Sequence, residues 1–509
     1  MVFSSMRKHM KWIIVFVALT FAVTLVYVGA QLPSSNGRAA TSVATVNGTP
    51  ISQNEFLDNL QQALVYQENV YGPVRPTQMT AFKSQILDQM ITSLVVIQAA
   101  QRNHIRVSGA ELDKAYQDFA KSFSDPAQLQ QFLATRNLTK SRVRDLLKQK
   151  LMAEKMLEQV KGQAKVSDAE VARAYEQVQA RHILIAIPKG PDGDKTAKAE
   201  AEKLVQQLRS GADFAALAKQ YSADPGTKDK GGELGYFGRG QMDPAFEKVA
   251  FSLPVKAISD PVKTRFGYHI IQVEARKEAK GPEFDKAKAQ LRQQLLQTKQ
   301  NEILQNWLQE EERKAKISIE DPQLAAFRDF AQGKYDQAIQ LYQQALKDRG
   351  QDAYVLSDLA QAYQRKGDIA QAIKYMQEAA KLADGDPILQ LSLGDLYQAQ
   401  KQDAKAVAAY EKASQLDARD FYLHLTLATR FQALKRPDLA QKEQDRVAAI
   451  QKEYQDQLAQ QEKAAQQNAA PQNPPSQNAG RSTGQKAGAQ TSGSGQPAPA
   501  SSQPAPSRP

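Results

Sequence analysis

Two histidines stand inside apolar runs, His182 in Arg181-His-Ile-Leu-Ile-Ala-Ile187 and His269 in Tyr268-His-Ile-Ile-Gln-Val273. Imidazole is the side chain whose protonation changes near neutral pH, so a pair of them is the first place to look for chemistry. On the two-residue period of a strand, His182 shares a face with Leu184 and Ala186, and His269 with Ile271 and Val273. If those faces coincide, two imidazoles meet on one sheet face, near the glycine-rich turns of Asp224–Gly240. Taken singly, each reads first as a satisfied core histidine. Other chemistries fall away. Cysteine is absent, which excludes disulfides, thiolate metal sites and a cysteine nucleophile. There is no phosphate loop, dinucleotide fingerprint or His-Glu-x-x-His, and five histidines without cysteine argue against a multi-ligand zinc site. Neither a metal nor a cofactor is expected. Lys and Arg number 66 against 55 Asp and Glu, a net +11 over 509 residues that reads as a solvated surface. No stretch interleaves basic and aromatic residues, so no nucleic acid is expected as a partner.

The two histidine strands must be held by what lies between them. Ala201, Leu204, Val205 and Leu208 recur at helical spacing, as do Phe214, Leu217, Ala218 and Tyr221 after a capping Asp213. Asp243-Pro244 opens a third, short helix, and Ile258-Ser259 reads as strand-like. The result is a β–α–α–α–β–β unit, an α+β domain over residues 177–279.

Before it, residues 42–176 read as a mostly helical lobe. Ser42–Ile51 forms a strand, an Asn47-Gly48 turn and a return at Ile51. Capping boxes at Ser52/Glu55, Ser108/Glu111 and Ser167/Glu170 each head an amphipathic helix. After it, residues 283–314 predict one long helix with Leu291, Leu295, Ile303 and Trp307 on a single face, ending in a strand at Lys316–Ile319. From there a 34-residue period runs through Ala338, Ala372, Ala406 and Ala440, and through Ala345, Ala379, Ala413 and Val447. That period with small residues at helix crossings is the tetratricopeptide signature, placed at 319–453. Gly333 and Gly367 occupy its turns, replaced by Lys401 and Lys435 later. Residues 454–509, rich in Gln, Ala, Ser, Pro and Gly, are expected to be a disordered tail.

At the other end, Trp12–Ala30 is nineteen residues without a charge, enough helix to span about 28 Å. Arg7, Lys8 and Lys11 precede it, so residues 1–11 are expected in the cytoplasm, 12–30 as a transmembrane anchor and 31–41 as a linker. A cleaved signal peptide ending at Val28-Gly29-Ala30 is the alternative; either way the bulk of the chain is exported.

Residues 181–274 resemble a parvulin-type peptidyl-prolyl isomerase domain. The resemblance is carried by Arg181–Ile185, Tyr221-Ser-Ala-Asp-Pro225, Gly231-Gly-Glu-Leu-Gly-Tyr-Phe237, Gly240-Gln-Met-Asp-Pro-Ala-Phe246 and Thr264-Arg-Phe-Gly-Tyr-His-Ile-Ile271. It implies active-site roles for His182, His269 and Asp224, and a proline pocket of Leu234, Met242 and Phe246 walled by Phe266. Phosphate-selective relatives carry a basic cluster after the first histidine strand; Ala186-Ile187-Pro188 has no arginine, which argues against phosphopeptide selectivity. Val43–Ile51 with Glu55-Phe56 is similar to the opening of SurA/PrsA-like extracytoplasmic foldases. That likeness implies that residues 283–319 fold back onto the N-terminal lobe, with Ile317 and Ile319 pairing with Val43–Val46. The sequence thus points to a membrane-anchored extracytoplasmic isomerase and chaperone acting on unfolded or partly folded exported polypeptides with X–Pro bonds. The tetratricopeptide array offers a surface for a protein partner. The rival readings are a holdase, or a tetratricopeptide scaffold, with an inactive parvulin fold.

Overall fold

The computed structural model describes residues 42–136 and 138–469. The segments assigned above to the cytoplasmic end, the membrane anchor and the linker lie outside them, as does the tail beyond Ala469. Among the described residues, no helix is long and apolar enough to cross a membrane. The chain forms two compact units, divided between Leu416 and Asp417.

The first unit opens with a hairpin, β1 (Ser42–Val46) and β2 (Thr49–Ser52), turned by Asn47 and Gly48 at φ 51° and 80°. Positive φ at both turn residues matches the twist of the strands, which is why Asn-Gly is favoured there. The lobe's helices are α1 (Gln53–Tyr71), α2 (Met79–Arg102), α3 (Gly109–Lys121), α4 (Pro126–Thr135), α5 (Lys140–Lys161) and α6 (Asp168–Tyr175). All three capping boxes form, each satisfying helix-end N–H groups and adding about 1 kcal/mol.

The α+β domain follows. Its strands are β3 (Gln177–Ile185), β4 (Glu233–Gly238), β5 (Val262–Thr264) and β6 (Gly267–Lys277), in antiparallel order β4-β3-β6-β5. Helices α7 (Gly193–Arg209) and α8 (Phe214–Tyr221) cover one face through Leu204, Leu208 and Phe214 against Ile183, Ile185 and Ile270. Helix α9 (Pro244–Ser252) covers the other through Phe246 and Ala250 against Ala180, Ile271 and Val273. Two expectations are corrected here. The glycine-rich stretch contains a strand, β4, because backbone pairing to β3 needs no side-chain alternation that glycines could display. Ile258-Ser259 makes only a single bridge to β6, and the edge strand is β5 instead.

The chain then returns to the lobe. Helix α10 (Pro282–Lys314) packs Phe284 against Val171 and Tyr175, and Leu304 against Ala100, Met156 and Val160. Strand β7 (Ile317–Ile319) pairs antiparallel with β1, Val46 opposite Ile317 and Ala44 opposite Ile319. The pairing expected of residues 283–319 is therefore made. Helix pairs α11 (Pro322–Ala331) with α12 (Tyr335–Arg349), α13 (Ala353–Lys366) with α14 (Ile369–Leu382), and α15 (Pro387–Ala399) with α16 (Asp403–Leu416) complete this unit. The repeating alanines are buried where helices cross.

The second unit consists of α17 (Phe421–Ala433) and α18 (Pro437–Ala469). The expected disordered tail from 454 is corrected, since α18 continues to Ala469. Residues 454–469 are rich in Ala and Gln, which lose little or no rotamer freedom in a helix, so the helix runs on past its packed turns.

Candidate active site

The site is built on adjacent strands. In the β3–β6 register His182 faces Ile271 and Leu184 faces His269, so the histidines are diagonal neighbours on the α9 side of the sheet. The two faces coincide. Their rings stack at 5.3 Å with Nδ1 to Nδ1 at 3.1 Å, and each residue is 6% exposed. Glycines allow the strands' surroundings to close on them. A Cβ at Gly232 (φ 80°) would lie 2.2 Å from the His182 carbonyl oxygen, and one at Gly267 (φ 138°) 2.2 Å from that of Ile185. No other residue fits either place.

Hydrogen bonds run through the pair in one direction. His182 Nε2 is 2.9 Å from Asp224 Oδ2, and His269 Nε2 is 2.8 Å from Thr264 Oγ1. Burial pushes the Asp224 carboxyl up, but hydrogen bonds from Thr227, His182 and the Gly226 N–H outweigh it and hold the group below its usual value. Asp224 is therefore an anion near neutral pH and can only accept. Burial lowers His182, with Asp224 restoring part of the loss. Burial, then the charge of His182, lowers His269 to about 4, against the opposing pull of Asp243 and Asp224. Both rings are neutral, with one N–H each. His182 must give its Nε2–H to Asp224, so its Nδ1 accepts from His269 Nδ1–H, and His269 Nε2 accepts from the Thr264 hydroxyl. The polarity Thr264 → His269 → His182 → Asp224 is the one assignment that satisfies every contact.

The chain ends at the surface. Both imidazoles are buried, whereas the Asp224 side chain is 25% exposed. The Thr227 hydroxyl gives Asp224 Oδ2 a second hydrogen bond at 2.5 Å, and the Asp224 N–H bonds Ser222 Oγ, fixing the loop. Beside the histidines lies an apolar cluster. Phe246 stands edge-on to His182 and His269 at 5.8 and 5.3 Å, and partly buried Leu234 and Met242 pack against the same cluster. Asp243 caps α9 and so sets the position of Phe246.

Six of the seven residues singled out above thus fall in two adjoining groups, His182, His269 and Asp224 in the hydrogen-bonded chain and Leu234, Met242 and Phe246 in the apolar cluster. Phe266 is not packed into that cluster; it is 54% exposed, with the Arg265 guanidinium 4.6 Å over its ring. Thr227 and Thr264 were missed. Their only trace in sequence is a hydroxyl three residues after Asp224 and another five before His269. Among the described residues, no cluster of His, Asp and Glu could hold a metal ion.

Residues 164–277 match the PPIC-type PPIase domain, residues 2–157 the SurA-like N-terminal domain, and residues 329–396 and 389–420 tetratricopeptide repeats. The chain is 32% identical over 315 residues to the foldase protein PrsA of Caldanaerobacter subterraneus subsp. tengcongensis, covering 58% of this chain and 94% of that relative. Against the foldase protein PrsA 2 of Listeria monocytogenes serotype 4b it is 34% identical over 273 residues, 52% and 84% of the two chains. A solved PrsA peptidylprolyl isomerase from Bacillus cereus is 29% identical, with 56% and 96% covered and a TM-score of 0.27. A relative matched over nearly its whole length, and an isomerase domain falling on the segment that holds the histidine chain, give one conclusion: the chain belongs to the PrsA foldase family, with a parvulin-type peptidyl-prolyl isomerase domain and C-terminal tetratricopeptide repeats.

Proposed function

We propose that this is a membrane-anchored, extracytoplasmic foldase that isomerises X–Pro bonds in unfolded or partly folded exported polypeptides and shields them while they fold. Leu234, Met242 and Phe246 grip the proline ring, and Phe266 forms the exposed rim. The barrier to be lowered is roughly 18–20 kcal/mol, and a 10⁴-fold acceleration needs only about 5.5 kcal/mol of preferential binding to the twisted amide. No covalent step is required. The planar amide is the charge-separated form, so an apolar pocket relatively favours the twisted one. Asp224 is the charged group that reaches the substrate, setting the field at the carbonyl. The buried histidines act as positioning residues that orient its carboxylate and shape the pocket.

The observation that carries this reading is the hydrogen-bond chain ending on a partly exposed carboxylate beside an apolar cluster. The burial of both imidazoles favours the positioning role over direct contact. Anchoring rests on the uncharged Trp12–Ala30 and the basic residues before it. The absence of arginine from Ala186-Ile187-Pro188 supports clients without phosphate. The test is prolyl-tetrapeptide isomerisation measured on the whole chain beside aggregation of an unfolded client. Asp224→Ala should slow isomerisation about 100-fold and Met242→Ala about tenfold, with aggregation still suppressed. Full isomerase activity in both variants would mean the site is misplaced, and a wild-type chain without isomerase activity would leave a holdase.

A further inference from the structure

The tetratricopeptide helices meet the chaperone lobe on a surface that isomerisation does not use. Helix α11 belongs to both regions. Leu324 is buried in the lobe's core with Val43, Leu87 and Ile91, while Ala326 packs with Ala338 and Tyr342 inside the first repeat. Beside it stands Thr80, near the start of α2 and 3% exposed. Its hydroxyl accepts from Gln323 Nε2 on α11 at 2.9 Å and donates to Asp358 Oδ2 on α13 at 2.8 Å. The single 3-10 turn Pro76–Gln78 just ahead of Thr80 also packs on α13. Further along α2, Asp88 lies close enough to Arg328 on α11 and Glu312 on α10 to feel both charges. Helices α11 and α13 are the first helices of repeats one and two, and stacked repeats of this kind form extended concave binding surfaces.

We propose that the chain's own residues 76–80 are an internal clasp on this face of repeats one and two, closed at acidic pH and released as pH rises. The contact has the character of a releasable one. The clasp is held at Thr80 by a hydroxyl shared between two hydrogen bonds, while the apolar anchor between lobe and repeats, Leu324, lies outside it. The carboxyl of Asp358 is pushed up from 3.8 to about 7, chiefly by burial, with the Thr80 hydrogen bond acting against it and Asp352 adding to it. The groups facing it are Thr80 from α2, Tyr342 from α12 and Asp352 from the start of its own helix, and none of these three is a cation. A carboxyl raised in the closed state favours closure while it keeps its proton. Its contribution is full below about 4, weakens as pH rises, and is lost above about 7. One linked proton changes the closed-to-open ratio by up to tenfold per pH unit, about 50-fold between pH 5 and 7.

The chain has no cysteine, so Gln78→Cys within the clasp and Lys381→Cys on α14, both exposed, provide unique sites for spin labels. Label-to-label distances in the whole chain should be narrow at pH 5 and broad at pH 8. Adding Asp358→Asn should keep them narrow at both values, because the amide has no charge and still accepts from Thr80. Adding Thr80→Val should broaden them at pH 5. A wild-type distribution that is the same at both pH values overturns the proposal, as does an Asp358→Asn form that broadens like wild type or a Thr80→Val form that stays narrow. Far-UV circular dichroism on the same samples separates undocking from unfolding; broadening that appears only with lost helix content also overturns it.

Discussion

Among the described residues, two regions bury a histidine beside a carboxylate, and only one of them lies in the isomerase domain. In the second unit His424 is 0% exposed and bonds through Nδ1 to Glu443, itself 3% exposed, while its Nε2 has no hydrogen-bond partner among the described residues. In the isomerase domain His182 and His269 are nearly as buried, yet all four ring nitrogens are bonded and the chain leads outward to Asp224. Burial of a histidine therefore says nothing about function by itself. What separates the sites is a continuous route of hydrogen bonds from the sheet interior to a partly exposed carboxylate beside an apolar cluster. The pair in the repeat has no such route through Nε2, and it locks α17 to α18.

The comparison is most easily broken at its structural end. His424→Ala empties a fully buried site and removes one hydrogen bond to Glu443, and should cost about 2–5 kcal/mol, read as faster hydrogen exchange across residues 421–447. Prolyl isomerisation should stay at the wild-type rate, and a fall in that rate would erase the distinction. Next comes pH. A histidine whose folded value is lowered supports the fold fully above its free value of 6.5 and loses that support as pH falls. For His269, lowered to about 4, the loss amounts to about 3 kcal/mol between pH 6.5 and 4, levelling off below. Melting of the isomerase domain followed from pH 7 to pH 4 should show it, and an unchanged melting temperature would mean that the rings are not neutral. Asp224→Asn keeps an acceptor but removes the charge; a roughly tenfold slower isomerisation at unchanged melting temperature is expected, and a wild-type rate would assign Asp224 to hydrogen bonding alone. The smallest effect belongs to Thr227→Val. Losing one hydrogen bond to Asp224 should slow isomerisation about fivefold, with KM little changed because Thr227 acts through the carboxylate.

Much of the architecture was legible because it is local. The Asn47-Gly48 turn, the three capping boxes and the alternation around His182 and His269 are written within a few residues of where they act. The 34-residue period was legible too, because it repeats. Strand β4 was hidden by its glycines, and Ile258 looked like a strand because a single bridged residue and a short strand have the same composition. Thr227 and Thr264 were invisible for a different reason: a hydroxyl's partner is decided by tertiary placement. Leu324 falls within the repeat region, so its burial in the core of the other lobe could not be read from periodicity. The left-handed turns at Lys401 (φ 58°) and Lys435 (φ 55°) match those at Gly333 and Gly367 (φ 79° and 96°), showing that the period persisted where the residue type did not.

The pairing of β1 with β7 sets an order in time. Val46 meets Ile317 only after 271 further residues have been made, roughly 15–55 s at ribosomal rates of about 5–20 residues per second. Until then one edge of β1 is bare, and Leu324 is missing from the core that Val43, Ala44 and Val46 share with α1 and α2. The isomerase domain has no such wait, since its sheet closes within Gln177–Lys277. During its own birth, then, this foldase completes its enzyme before its chaperone, and for that interval the nascent lobe is itself an unfinished client.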